Sequence, residues 1–188
     1  MNKLINHVKT VMLHKKWVFH YADKAGIPIQ GLFHDLSKFH PIELFESVKY
    51  YNGIKSPLEV SETLNGFSYA KLHHLHNNKH HYEYWQKNYI HGCEPILMPY
   101  KYNLEMICDY LAAARTYLKN NFSYKKEYEW FSQKQYNNNL IKMHKVNKEF
   151  TKIVLEYMAK HNSDTILEDH IFLERIFSNL LLQQLCNK

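Results

Sequence analysis

The stretch GLFHDLSKFHPIE (residues 31–43) places an adjacent pair, His34-Asp35, at the end of a short apolar run, with Lys38 three residues beyond the aspartate. Ile29, Leu32, Phe33 and Leu36 recur at helical spacing, which predicts a helix over about 29–38 with these side chains on its buried side. Pro41 then opens a second helix, about 41–51, carrying Ile42, Phe45 and Val48. The pair therefore falls in the second half of the first of these helices. In a chain with 14 histidines such a pair arises easily by chance, so its meaning depends on what surrounds it.

Upstream, Leu4, Val8, Val11, Val18 and Ala22 mark a helix over 3–25, ended by Gly26 and Pro28. Downstream, NGIKSP (52–57) is a loop and residues 57–65 carry no decisive pattern. One long helix or two shorter ones cover about 66–87, HGCEPILMP (91–99) is a proline-bounded loop, and 99–119 is helical. In that last helix Tyr102, Met106, Asp109, Ala113 and Tyr117 lie near one face. Residues 124–188 read as two more helices broken at HNSDT, with Ser163 or Asp164 as N-cap. ILEDHIFLERIFSNLLLQQL (166–185) is amphipathic and fits a helix packed on the core or one forming a homodimer contact. The expectation is an all-α chain: a bundle over residues 1–120, with C-terminal helices over 121–188 packed on it.

Composition narrows the class. A hydrophobic content of 45% is enough for a sizeable core, and only 10 residues are Gly or Pro. Cys93, Cys108 and Cys186 are far apart and form no CxxC, so neither a zinc ribbon nor a disulfide framework is suggested, and a reducing compartment is expected. No signal-peptide pattern opens the chain, and no run reaches the roughly 18 apolar residues of a membrane span. A cytoplasmic protein without membrane attachment is expected. The net charge of +6 is spread over the sequence; it fits a solvated lysine-rich surface and also permits an anionic substrate or nucleic acid.

Histidines and aspartates mark the chemistry. In order they are His7, His14, His34-Asp35, the segment HHLHNNKHH with His73, His74, His76, His80 and His81, and then Asp109. Imidazole and carboxylate together suit borderline divalent metals, namely manganese, iron, nickel, cobalt or zinc. His7 and His14 lie on one helix face two turns apart, His74 and His81 would do so in a continuous helix, and Glu105 and Asp109 share a face. His20, His40, His91, His161 and His170 read as isolated structural histidines.

HDLSK resembles the HDxxK signature of HD-domain metal-dependent phosphohydrolases. That superfamily carries a histidine on an early helix, the His-Asp pair on the next and a later aspartate, all within a helical bundle. His7 or His14, His34-Asp35 and Asp109 match in that order, and the pattern does not choose between the first two. HVKTVMLHKKWV, HDLSKFHPIE, HHLHNNKHHYEYW and MPYKYNLEMICDYLAAA resemble more closely a family of bacterial and phage proteins classed as a domain of unknown function. This likeness covers about residues 5–118, and LIKMHKVNKEF (140–150) extends it. By the NKHH element it takes in His74, Asn78, His80 and His81; His73 and His76 have no counterpart.

The resemblance implies one or two divalent ions held by His7 or His14, His34, Asp35, His74, His80 or His81, and Asp109, with Asp35 as bridge. It implies hydrolysis of a phosphorylated small molecule such as a nucleotide, with Lys38 on a phosphate oxygen; Arg115 is a second, weaker phosphate candidate. Tyr82, Tyr84 and Trp85 fit base stacking or the core. The order H…HD…H…HH…D also resembles the HD-GYP phosphodiesterases, but the interval from His74 to His80 is shorter and the GYP motif is absent. A related branch activates oxygen at a di-iron centre, and a degenerate HD fold would be a binding module, for nucleic acid through the basic surface. These two remain alternatives.

Overall fold

The computed structural model describes residues 2–89, 92–138 and 142–186. Among them lie nine α-helices and one small hairpin, an all-α architecture. The helices are α1 (Lys3–Lys24), α2 (Pro28–Phe33), α3 (Pro41–Tyr50), α4 (Pro57–Asn65), α5 (Tyr69–Asn77), α6 (Tyr100–Leu118), α7 (Tyr124–Phe131), α8 (Lys145–His161) and α9 (His170–Cys186). Strands β1 (Gln86–Tyr89) and β2 (Gly92–Pro95) pair antiparallel, with Lys87 opposite Glu94. No helix among the described residues is long and apolar enough to cross a membrane.

Helices α1 and α6 form the spine. Asn2 caps α1 by accepting from the Leu4 amide. The inward stripe of α1 changes character along its length: His7 and His14 come first, then Val18, Tyr21 and Ala22. The apolar half packs with Leu104, Ile107 and Leu111 of α6 in the main core. Phe131 of α7, Phe150 and Val154 of α8, and Leu173 and Phe177 of α9 complete it. One core therefore runs through residues on both sides of position 120. Lys24 adds ion pairs to Asp164 (2.9 Å) and Glu168 (3.0 Å). A smaller cluster of Met98, Met106 and Met143 takes Trp85 and Tyr102 against it.

Several local expectations need correction. The helix expected over 29–38 stops at Phe33 and resumes only as a 3-10 turn over Leu36–Phe39. Ile29, Leu32, Phe33 and Leu36 face outward, 70, 58, 60 and 50% exposed. The reason is Gly31, which takes the inward position. A Cβ there would stand 2.6 Å from the Ala22 Cβ and 3.2 Å from the Phe19 Cα, so only glycine lets α2 approach α1 this closely. Helix α3 is reversed in the same sense: Glu43 and Ser47 are buried, while Ile42 and Phe45 are exposed. The segment 66–87 is not one helix; α5 ends at Asn77 and a 3-10 turn (Tyr82–Tyr84) leads into β1. Residues 57–65 form α4, and 124–186 hold three α-helices where two were expected. His91 lies outside the described residues.

Candidate metal centre

Four segments converge above the apolar half of α1. His14 comes from α1 and Asp109 from α6. His34 and Asp35 come from the break after α2. His74 comes from the last turn of α5, and His80 and His81 from the turn behind it. Asp35 adopts a left-handed conformation (φ 54°, ψ 31°), which aspartate tolerates better than most residues. Lys15 Nζ lies 3.2 Å from the Leu32 carbonyl oxygen and 2.5 Å from that of His34, satisfying the end of α2.

Asp35 stands between two sets of ligand atoms. Its Oδ2 is 3.2 Å from His34 Nε2 and 3.8 Å from His14 Nε2. Its Oδ1 is 3.4 Å from His80 Nε2 and 3.5 Å from His74 Nε2. Asp109 Oδ1 closes the first set, 3.0 Å from His14 Nε2 and 3.5 Å from His34 Nε2. His81 Nε2 joins the second, 2.9 Å from His74 Nε2. Within each set of four residues the donor atoms lie within 4.8 Å of one another.

A ring of carboxylates outside the histidines fixes their orientation. Glu105 Oε1 faces Nδ1 of His34 at 3.0 Å and Nδ1 of His80 at 3.3 Å. Glu43 faces Nδ1 of His74 at 2.9 Å and Nδ1 of His73 at 2.6 Å. An N–H at Nδ1 of His34, His74 or His80 has a carboxylate behind it to accept it, which suits Nε2 of each of the three rings to the role of metal ligand. Lone pairs facing at 2.9 Å repel unless a proton or a cation stands with them. The inner atoms are also short of hydrogen bonds: Asp35 Oδ1 and His80 Nε2 are buried and have no hydrogen-bond partner among the described residues. Lys38 Nζ, 2.5 Å from Asp35 Oδ2, is an ionic neighbour. Buried orphan donors of this chemistry fit one or two divalent ions.

The charges of the cluster are strongly coupled. Burial alone would favour a neutral Asp35, but His34, Lys38 and His74 outweigh it and hold the carboxyl well below its usual range. Asp109 is held down likewise, with His14 and His34 overcoming its burial. His34 is raised well above the usual imidazole value, because Asp35, Asp109 and Glu105 more than offset its burial. His14 is lowered by burial and Lys38, and His81 well lowered by burial, His80 and His74.

A cavity of about 350 Å³ opens onto this cluster, within the size range of small-molecule sites. Its floor includes His14, Asp35, His74 and Asp109, and Lys38 and Lys71 bring positive charge. His7 lines the same cavity but belongs to neither set. Among the other sequence candidates, Tyr82 reaches the cavity, whereas Trp85 donates to the Lys79 carbonyl and packs beside Tyr102. Arg115 lies elsewhere, donating to Tyr21 and Tyr124 and stacked 4.1 Å from the Phe122 ring centroid. Asn78 bonds Ser37 Oγ at 2.7 Å and the His74 carbonyl at 2.8 Å, which fixes the turn carrying His80 and His81. Glu43 was missed in the sequence because nothing local marks it, while Glu105 was visible as the face-mate of Asp109.

Comparison with curated proteins and with solved structures finds no match. The model of one family, described as a family of unknown function (DUF5662), matches residues 3–161, taking in every residue of the His/Asp cluster. With most of its length matched, the chain belongs to the DUF5662 family.

Proposed function

We propose that this protein is a metal-dependent phosphohydrolase of the HD-domain type, acting on a nucleotide or a related phosphoester. The observation that carries the reading is Asp35, whose two oxygens each face a separate set of histidines. That is the arrangement of a carboxylate shared by two ions. The order of the residues along the chain, and the lysine one turn beyond the aspartate, support the same reading.

When bound, one or two divalent transition ions would supply Lewis acidity at a phosphoryl oxygen and lower the pKa of water. The protein's own part is positional. His14, His34, Asp35 and Asp109 would hold one ion; Asp35, His74, His80 and His81 would hold the other. His14 takes the place of the early histidine, since its Nε2 meets Asp109 and His34. Glu105 and Glu43 would accept from the outer Nδ1–H groups, which orients Nε2 of each ring toward an ion and makes it a more basic ligand. Lys38 stays cationic, because burial is outweighed by Asp35 and Asp109, and at the cavity wall it binds a phosphate oxygen as a point charge.

The test is elemental analysis of protein purified without chelator, paired with phosphate release from a panel of phosphoesters. Bound transition metal and EDTA-sensitive release of phosphate are expected, with both lost in Asp35→Asn. Metal without hydrolysis, accompanied by oxygen consumption, would move the assignment to di-iron oxygenase chemistry. Absence of metal would overturn both.

A further inference from the structure

His7 is a buried polar group that the metal centre leaves unused. It is 4% exposed, and neither Nδ1 nor Nε2 has a hydrogen-bond partner among the described residues. Two unpaired ring nitrogens out of bulk water are costly, and native interiors rarely keep them without a purpose. The ring lines the cavity over the Asp35 cluster. It meets the Tyr51 ring edge-on at 5.6 Å, and the Tyr51 hydroxyl is itself held by Thr10 Oγ1 at 2.8 Å. His7 stands two helical turns before His14, about 10 Å along α1. It therefore faces the cavity at a distance from the ion-binding atoms.

We propose that His7 is a substrate-recognition residue, which hydrogen-bonds an uncharged donor–acceptor group on the alcohol part of a phosphoester whose phosphate lies at the Asp35 centre. The assignment rests on the phosphohydrolase reading for the location of the phosphate. The polarity of the recognised group follows from the imidazole. Burial and the nearby Lys38 hold His7 down to about 4, so it is neutral near pH 7 and offers one N–H and one lone pair. A hydroxyl or a heterocyclic nitrogen matches that pair. A second phosphate does not use the lone pair, and a cation is repelled by Lys38. The length of the alcohol part follows from the two-turn offset, since a compact leaving group at the ions ends short of His7.

The test uses metal-loaded full-length protein, with His7→Phe to keep the ring and its contact with Tyr51, and His7→Gln to restore a donor and an acceptor. Three probes are titrated calorimetrically: adenosine 5′-monophosphate, glucose 6-phosphate, and phenyl phosphate, whose alcohol part is apolar. Both variants are expected to retain the metal content of wild type. His7→Phe is expected to lower affinity for adenosine 5′-monophosphate or glucose 6-phosphate, relative to phenyl phosphate, by about fivefold to tenfold. His7→Gln should recover part of the loss. Which probe suffers tells a heterocycle from a sugar hydroxyl. Loss of a metal equivalent in His7→Phe would make His7 a ligand and overturn the proposal. So would unchanged relative affinities, the result if only water fills the gap, or failure of wild type to bind either polar probe. If wild type binds a probe but releases no phosphate, the hydrolase reading falls and the affinity ratios still decide the role of His7.

Discussion

Glu105 holds His34 from behind: its Oε1 lies 3.0 Å from His34 Nδ1, on the ring edge opposite the cluster. The same oxygen serves His80. Glu105→Gln puts a neutral amide where a carboxylate accepts two ring N–H groups, so both imidazoles lose their fixed tautomer. Metal affinity should fall about 10- to 100-fold while the fold persists. Competition with a fluorescent chelator measures the first, and circular dichroism the second. An unchanged affinity would remove Glu105 from the site.

The two donor sets predict a pattern of metal loss. His14→Ala should leave the ion held by His74, His80 and His81. His81→Ala should leave the other. Asp35→Asn should lose both, because asparagine tolerates the same left-handed backbone but brings no charge to share. Elemental analysis of the three variants checks the pattern. Equal losses in all three would mean a single ion.

Glu127, buried on α7, is pushed up to about 8, first by its burial and then by the Asp109 charge. The folded state thus keeps a proton that the unfolded chain releases near pH 4.5, the usual glutamate value. Between those values the unfolded state binds fewer protons, so stability falls as pH rises, by roughly 5 kcal/mol at most over the whole interval. Glu127→Gln should therefore match wild type near pH 4 and exceed it at pH 9. Thermal melts at the two pH values read this directly, and parallel curves would refute it.

Gly31→Ala tests the crossing of α1 and α2. The new methyl group meets Ala22 and the Phe19 backbone at distances that require α2 to move. A loss of about 1–3 kcal/mol is expected, from overpacking. Metal affinity should fall too, since His34 and Asp35 follow directly on α2. Chemical denaturation and a metal titration separate the two effects.

The residue types of the centre and the two spine helices were legible in the sequence. The period of Val11, Val18 and Ala22 survives in α1, because that half of the helix faces apolar neighbours. Elsewhere the pattern misled for a physical reason. Helix α3 turns Glu43 inward because His73 and His74 need a carboxylate there, and Ile42 and Phe45 are left outside. Helical periodicity assumes that the buried face is the apolar one, which fails where a helix serves a polar site. The break after Phe33 was equally hidden, since nothing local to the expected helix 29–38 shows that Gly31 is its point of contact with Ala22. That His14 and not His7 stands against Asp109 could not be read locally, because Asp109 lies far along the chain.

The inner donors come from α1, the turn after α2, the end of α5 with the turn behind it, and α6, so the first and last are separated by most of the matched family region. None of these segments holds a complete donor set alone. An ion captured there would bind the finished chain far better than any partly folded one, and its binding energy would add to the free energy of folding. Metal supply would then govern the lifetime of the protein as well as its chemistry, with the metal-free chain the one that opens and is degraded first.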